Sequence, residues 1–330
     1  MLQWRDDLYL PALDLYLDSR HSRPFSFISH AHSDHLGAHD RALVTPATAV
    51  LARHRIAVRQ LDVYAYQKLT PVRPDISIEL LPAGHVLGSA MLHAVTDGGS
   101  LLYTGDYSFR KSLTAENAVV READVLVMES TYGLPHFKFP PPHIIGEQLV
   151  ELVHDALRTG RQPIVYGYSL GKAQEIVRIL TDAGLPVTCH GAIGPINDIY
   201  AQFGVSTGPY RAYKSSDFHG ETALDLSERG VLVAPPQTAR GAFTTRFNNP
   251  LRIMMSGWGL LKGASFRYGV DHVLPLSDHA DFDGLLELVE RVQPKKVYTH
   301  HGYPEFVDHL RARGIDAQRA HPPAQMELFT

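Results

Sequence analysis

Seven residues constrain this chain more than any other stretch: Ser29-His30-Ala31-His32-Ser33-Asp34-His35 follows directly on the apolar run Phe25–Ile28. Histidines and an acid this dense at a strand end cannot sink into a core without partners, because unpaired polar groups are too costly there. Imidazole together with carboxylate is a donor set that Zn²⁺ or Mn²⁺ accepts. On an extended backbone His30 and His32 would point the same way, and the loop beyond would bring Asp34 and His35 to a neighbouring position. A solvated histidine-rich turn is the bland alternative, and the later parts of the chain speak against it.

Those parts are three further strand-end segments. Pro82-Ala83-Gly84-His85-Val86-Leu87-Gly88-Ser89 carries a lone His, and Tyr103-Thr104-Gly105-Asp106-Tyr107 carries an Asp. Thr299-His300-His301-Gly302-Tyr303 carries a His pair. Each alone is a weak signal, since an Asp at a turn is usually a turn former. Together they form a constellation. His30, His32 and His85 would hold one metal, Asp34 and His35 a second, and Asp106 would bridge both. His301 would complete the second site, preferred over His300 because the turn glycine directly follows it. The 19 histidines stand out against 31 Lys plus Arg, whereas the single Cys189 excludes an internal disulfide and a cysteine-based zinc finger.

At 330 residues and 44% hydrophobic content the chain can bury a sizeable core. The residues up to about 135 read as short strands: Leu13–Leu17, Phe25–Ser29, Ile76–Leu80, Met91–Val95, Leu101–Thr104 and Val125–Glu129, with a helix near Ala47–Val58. From His143 the rhythm becomes helix and strand in alternation, which predicts a parallel sheet with covering helices. Phe137-Lys-Phe-Pro-Pro-Pro-His143 marks the seam, because three consecutive prolines cannot lie inside a helix or central strand. Histidine-bearing loops return at His279 and His300–His301, so the second domain is expected to be an insertion. No apolar run reaches the length of a membrane span and no secretory signal is visible, which sets the expectation of a cytoplasmic enzyme with no membrane partner.

The order His-x-His-x-Asp-His, lone His, Gly-Asp resembles the metallo-β-lactamase superfamily, and the resemblance runs from Asp18 to His301. It implies an α/β fold, an αββα sandwich with metals at one sheet edge, and two divalent ions per chain, Zn²⁺ or Mn²⁺. Asp18 matches the acid that supports the metal site there. Glu129, in Val127-Met-Glu-Ser-Thr-Tyr-Gly133, resembles motif A of the β-CASP nucleases, His279, in Leu276-Ser-Asp-His-Ala-Asp-Phe282, resembles motif B, and His301 resembles motif C. The implied division is 1–142 for the first part of the metallo-β-lactamase domain, 143–268 for the inserted β-CASP domain, and 269–330 for the part that completes the first. The catalytic set expected on this basis is Asp34, Asp106, Glu129 and His279, with His279 as general acid to the leaving 3′-oxygen and Glu129 orienting it.

Finer features resemble the DNA-repair members that include Artemis. Gly167-Tyr168-Ser169-Leu170-Gly171-Lys172 stands between a strand and a helix, where free amides, a hydroxyl and an ammonium suit an anion. Ser169, Gly171 and Lys172 are therefore expected to hold a 5′-phosphate and to set 5′→3′ polarity. Val231–Val270 contains Arg240, Arg246, Arg252, Lys262 and Arg267 and no acid, in a chain of net charge −4. This stretch, with Phe243, Phe247 and Trp258 interleaved, is expected to follow a phosphate backbone and stack bases. As a whole the chain is most similar to the bacterial exonuclease family associated with DNA ligase and an Lhr-type helicase. That implies a 5′→3′ DNA exonuclease in repair, with nucleic acid, DNA over RNA, as its partner. His301 departs from the Artemis pattern and matches the RNA-processing branch, so an exo- or endoribonuclease is the alternative. A thioesterase or lactamase, and a scaffold with a degenerate site, are the weaker rivals.

Overall fold

The computed structural model describes residues 2–220, 223–247 and 249–320; residues 321–330 of the expected closing segment lie outside them. The chain divides into two compact units. The first comprises the residues up to Lys111, Glu116–Lys138 and the chain from His279 on; the second comprises Phe139–Asp278 with the short segment Ser112–Ala115.

The first unit opens with β1 (Gln3–Trp4), β2 (Leu8–Leu10), β3 (Leu15–Leu17), β4 (Phe25–Phe27), β5 (Arg41–Val44), α1 (Pro46–Arg55) and β6 (Gln60–Val63). These six strands form one sheet in sequential order, antiparallel up to β3 and parallel from there to β6. β7 (Thr70–Arg73), β8 (Ile76–Pro82), β9 (Ala90–Thr96), β10 (Gly99–Tyr103) and β11 (Val125–Ser130) belong to a second sheet.

The second unit follows. It contains α2 (Pro142–Arg158), β12 (Pro163–Tyr166), α3 (Lys172–Asp182), β13 (Val187–Cys189), α4 (Gly194–Gln202), β14 (Arg211–Ala212), α5 (Leu226–Arg229), β15 (Val231–Ala234), β16 (Leu251–Met255), α6 (Ala264–Tyr268) and β17 (His272–Leu274). Its sheet runs β14-β13-β15-β12-β16-β17, and every pairing is parallel. A parallel sheet must be covered on both faces, and the sequence obliges. Val231 and Val233 lie in the cluster under α2 and α3, whereas their neighbours Leu232 and Ala234 lie in a second cluster with Phe218 and Phe247. Pro142 sits in the first turn of α2, where a missing N–H costs nothing, which is how the proline seam is accommodated.

The chain then returns to the first unit with α7 (Phe282–Val292), β18 (Lys296–Gly302), α8 (Phe306–Arg311) and β19 (Ala317–Arg319). β18 pairs parallel with β11, giving the sheet order β19-β18-β11-β10-β9-β8-β7. The two sheets of this unit share one core: Leu15, Leu17 and Phe27 pack with Ile78, Leu80, Leu92, Leu101, Tyr103 and Val127. Leu102, Leu126 and Met128 point to the opposite face, under Leu285, Leu288, Phe306 and Leu310 of α7 and α8. Two sheets face to face with a helical cover, interrupted by an α/β unit, is the αββα class that the resemblance implied.

Two boundaries differ from the expected division at 142/143 and 268/269. The first unit gives way at 138/139 and resumes at 278/279. The second difference has a clear cause: β17, expected to reopen the first domain, pairs with β16 through Ile253–His272 and Met255–Leu274, so it belongs to the inserted sheet.

Candidate metal centre

The histidine segment does not continue β4. The strand ends at Phe27, and residues 30–35 run through bends and turns. Strand alternation is therefore not what brings His30 and His32 together, as the sequence suggested; the turn does. His30 Nε2 and His32 Nδ1 stand 3.0 Å apart, and His85 Nε2 stands 3.1 Å from the same His32 atom. Asp106 Oδ2 lies 3.5 Å from His30 Nε2 and 3.8 Å from His85 Nε2. One donor atom from each of these four residues fits within 4.8 Å of every other. Donors at about 2.0–2.2 Å around a tetrahedral ion stand roughly 3.3–3.6 Å apart, so the set is close to what a Zn²⁺-sized ion needs.

A second group shares Asp106. His35 Nε2 lies 3.2 Å from Asp106 Oδ2 and 4.0 Å from Asp34 Oδ2. The His301 ring centroid lies 5.4 Å from that of His35. Asp106 is thus the residue common to both groups. Gly105, at φ +54°, makes its position possible: a Cβ there would meet Ser29 Oγ at 2.4 Å.

The choice between His300 and His301 is made by a β-bulge. Glu129 of β11 pairs with His300, but the next residue, Ser130, pairs with Gly302, so His301 is the extra residue. It adopts φ +49°, unusual for a side-chain-bearing residue. His300 is buried instead and places Nε2 3.2 Å from the Tyr103 hydroxyl. Gly302 is obligatory at the turn, since a Cβ would meet the Ser130 carbonyl oxygen at 2.0 Å.

An outer layer orients the inner one. Asp18, buried and at φ +45°, accepts hydrogen bonds from Ser29 N at 2.6 Å, Ser29 Oγ at 2.6 Å and Tyr103 Oη at 2.8 Å, and faces His35 Nδ1 at 2.9 Å. With its proton given to Asp18, Ser29 Oγ is left to accept from His30 Nδ1 at 2.9 Å. Both His30 and His35 therefore carry a proton on Nδ1 and present Nε2 inward, the tautomer that ligation needs. Ser89 Oγ accepts from His85 N at 3.1 Å and Val86 N at 3.2 Å, fixing the third histidine's turn. Ser29, Tyr103 and Ser89 were not picked out from the sequence. Ser29 and Tyr103 did have a signal, being the first residues of two of the four segments that carry the candidate ligands.

Burial, then the neighbouring His35, His85 and His32, hold His30 well below the usual imidazole range, so its lone pair is available. Burial alone would lower His35 too, but Asp106 and Asp18 on its two nitrogens outweigh it and hold the ring well above that range. Burial would raise Asp106, yet His35 and His279 outweigh it and keep the carboxyl well below its ordinary value.

Glu129 is fully buried at the end of β11. It accepts from Tyr107 N at 2.8 Å and from the Thr131 hydroxyl, and its Oε2 faces His279 Nδ1 at 2.9 Å. The other nitrogen, His279 Nε2, lies 4.0 Å from Asp106 Oδ2. A proton on that atom is aimed at the same carboxylate that the two ligand groups share.

In the second unit the expected phosphate turn is built differently. Lys172 is 2% exposed, and its Nζ lies 3.0 Å from Asp278 Oδ1 and donates to the Leu276 carbonyl at 3.0 Å. The ammonium expected to meet a 5′-phosphate is thus a buried structural ion pair. Gly171 N donates to Gln174 Oε1 at 2.7 Å, and Gln174 Nε2 donates to the Ser169 carbonyl at 3.0 Å and to Asn197 Oδ1 at 2.9 Å. The helix-start amide of Gly171 is therefore occupied as well, while Ser169 is half-buried. Phe247, expected as a base platform, is buried against Phe218 with ring centroids 5.5 Å apart, and Phe243 packs on it at 5.5 Å. They fill a core. Trp258 is half-buried beside the Ser256 cap. Arg246, Lys262 and Arg267 are exposed, and Arg240 and Arg252 line a cleft described below.

Residues 263–321 match the family described as the Zn-dependent metallo-hydrolase RNA specificity domain. The chain is 37% identical, over 97% of its own length, to a probable DNA ligase of Opitutus terrae, but it spans only 31% of that relative. It is 23% identical to an RNase J-like protein of Methanocaldococcus jannaschii over 83% of this chain and 80% of the relative. To transcription termination factor FttA of Methanothermobacter thermautotrophicus it is 35% identical, over 72% of this chain and 46% of that one. A crystal structure of a protein of unknown function from Enterococcus faecalis V583 superposes with a TM-score of 0.57 at 15% identity, covering 84% of this chain and 75% of that one. No helix among the described residues is long and apolar enough to cross a membrane.

Proposed function

The chain belongs to the metallo-β-lactamase superfamily, in its β-CASP branch, and we propose that it is a metal-dependent phosphodiesterase acting on nucleic acid. The observation that carries this reading is the convergence of His30, His32, His85 and Asp106 beside a histidine, His279, held on a buried carboxylate. His30, His32, His85 and Asp106 would hold one divalent ion, and Asp34, His35, Asp106 and His301 a second, each Zn²⁺ or Mn²⁺. Bound there, such ions supply a nucleophilic water at neutral pH and positive charge against the scissile phosphate.

The protein's own groups do the rest. Asp18 and Ser29 hold the tautomers of His35 and His30, so no ring need reorient when substrate arrives. Glu129 holds Nδ1 of His279 and stabilises the imidazolium, so that Nε2 can give its proton to the leaving 3′-oxygen. Its other hydrogen bonds, from Tyr107 N and Thr131, hold the carboxylate in place.

We favour DNA as substrate, because the relative that aligns with 97% of this chain is named a probable DNA ligase. A role in trimming ends that a ligase seals follows from the same likeness, whereas the Lhr-type helicase rests on the resemblance alone. RNA is the second reading, supported by the match of residues 263–321 to an RNA specificity domain. With Lys172 engaged by Asp278, 5′→3′ polarity loses its main support and forms no part of the proposal.

The test is cleavage of matched single-stranded DNA and RNA with Zn²⁺ or Mn²⁺, with Asp34→Ala as control. Cleavage of DNA ahead of RNA, lost in Asp34→Ala, is expected; full activity in that variant would refute the assignment. His279→Gln should lower kcat by about 10²–10⁴-fold and remove the alkaline limb of the pH profile, because a general acid must be protonated to act.

A further inference from the structure

We propose that the second unit carries an anion cleft of its own, shaped for a nucleotide phosphate, at the edge of the sheet opposite the turn 167–172. The depression encloses about 580 Å³ and is lined by Arg161, Arg240, Arg252 and Asp271, with Phe247 and Pro250 as apolar wall. Arg161 precedes β12, Arg252 is the second residue of β16 and Asp271 immediately precedes β17, so three strand starts converge there. The expected phosphate turn lies at the other end of β12. Every lining residue belongs to the second unit and every candidate metal ligand to the first.

The charge is unbalanced. Three guanidiniums face one carboxylate, and that carboxylate already accepts from Arg252 N at 2.8 Å. Its Oδ2 lies 3.6 Å from Arg252 Nε and 3.7 Å from Arg161 Nη2, beyond good hydrogen-bond length to either. Arg161 Nη2 donates to the Pro250 carbonyl at 2.8 Å, which pins the guanidinium, while its Nε is buried without a hydrogen-bond partner. Arg240, exposed, turns its Nη2 toward the Phe266 and Arg267 carbonyls near the end of α6. Guanidiniums fixed by backbone carbonyls lose little entropy on binding and match phosphate oxygens in pairs. The volume exceeds what inorganic phosphate fills and falls within the range of small-molecule sites. Pro250 beside the cations gives the depression an apolar side against which the nucleoside of a nucleotide can lie. The anion affinity stands on this geometry alone; that the anion is a nucleotide rests on the proposed nuclease function.

The experiment is calorimetric titration of the full chain with inorganic phosphate and with dAMP, and anisotropy of a labelled oligothymidylate. Hydrolysis of bis(p-nitrophenyl) phosphate, too small to need a second site, is followed in parallel. We expect dAMP to bind more tightly than phosphate, and Arg240→Gln and Arg252→Gln each to weaken it by about tenfold. Asp271→Asn, which keeps an acceptor for Arg252 N but removes the negative charge, should tighten it. Small-substrate hydrolysis should not change in any of the three. A parallel fall in oligonucleotide affinity, with a salt slope smaller by about one per arginine, would identify the ligand as a unit of a strand. An oligonucleotide affinity that holds while dAMP affinity falls would identify a free nucleotide. Binding of phosphate and dAMP indifferent to Arg240, which is exposed and removable without unfolding, would overturn the proposal. Arginine-dependent dAMP binding without any hydrolysis would leave the cleft standing and refute the nuclease reading instead.

Discussion

The polar clusters of the two units look alike in the sequence and differ in what they leave available. In the first unit, Asp18, Ser29 and Glu129 take up the outward nitrogens of His30, His35 and His279, and the inward nitrogens converge around Asp106. In the second, Lys172 faces Asp278 and Gln174 closes the Gly171 amide. Both segments stand at strand ends, and both carry residue types that bind ligands. The first is organised outside-in, so that its inner donor atoms converge on one another; the second is tied into the fold by its own pairings. A binding motif is distinguished from a structural one by whether its lone pairs and protons are already matched.

That contrast can be broken at the largest scale by Asp106→Asn. The carboxylate is common to both ligand groups, and a metal's charge on the transition state is worth several kcal/mol, so kcat should fall by about a thousandfold or more. Metal content by elemental analysis should fall with it, whereas the urea midpoint of the metal-free protein should not drop. Lys172→Ala should do the reverse. Removing one partner of a buried pair costs about 3–5 kcal/mol, read as a lower urea midpoint, while small-substrate hydrolysis by the folded protein persists. The double variant Lys172→Met/Asp278→Leu should recover most of the stability; failure to do so would mean that the ammonium serves more than the pair. Asp18→Ala sharpens the outside-in account, with metal affinity lower by about 10–100-fold although no inner ligand is touched. Unchanged affinity would reduce Asp18 to a packing residue.

The smallest effect concerns His39, a buried histidine outside both ligand groups. Burial lowers its pKa from the ordinary value near 6.5. The unfolded chain then takes up the proton first, so stability falls as pH drops below about 6.5 and levels out once the folded pKa is passed. His39→Gln, which keeps an acceptor for the Arg23 amide, should make the fall in Tm from pH 7 to pH 5 shallower.

Much of the architecture was legible because apolar runs and turn residues report it directly. β10 and β11 differ from the expected Leu101–Thr104 and Val125–Glu129 by a residue or two. The short edge strands β1, β6, β7, β14 and β19 were missed, and so were β2, β5, β15 and β16 inside their sheets. The burial patterns of β1 and β6 lack the alternation of a half-buried strand, so periodicity had nothing to detect. β17 lies in the stretch expected to complete the first domain but pairs in the inserted sheet, because a strand's sequence does not name its neighbour.

At the site, residue type and order along the chain singled out His30, His32, Asp34, His35, His85, Asp106 and His301 as candidates, since few residue types can serve as ligands and they recur at strand ends, whereas Glu129 and His279 came from the family resemblance. Chemical type and chain position are local properties, and the sequence alone determines them. Which polar atoms converge is not local. Tyr103 reaches Asp18 across 85 positions, Asp278 takes Lys172 across 106, and a bulge between β11 and β18 turns His301 rather than His300 out of the ladder. Those pairings exist only once distant strands have packed, because hydrogen bonds and ion pairs act over a few ångströms of space and not along the chain. So the tertiary structure decided which of two similar polar segments keeps its donors for a ligand, and it assembled an arginine cleft from three strand starts that no stretch of sequence contains.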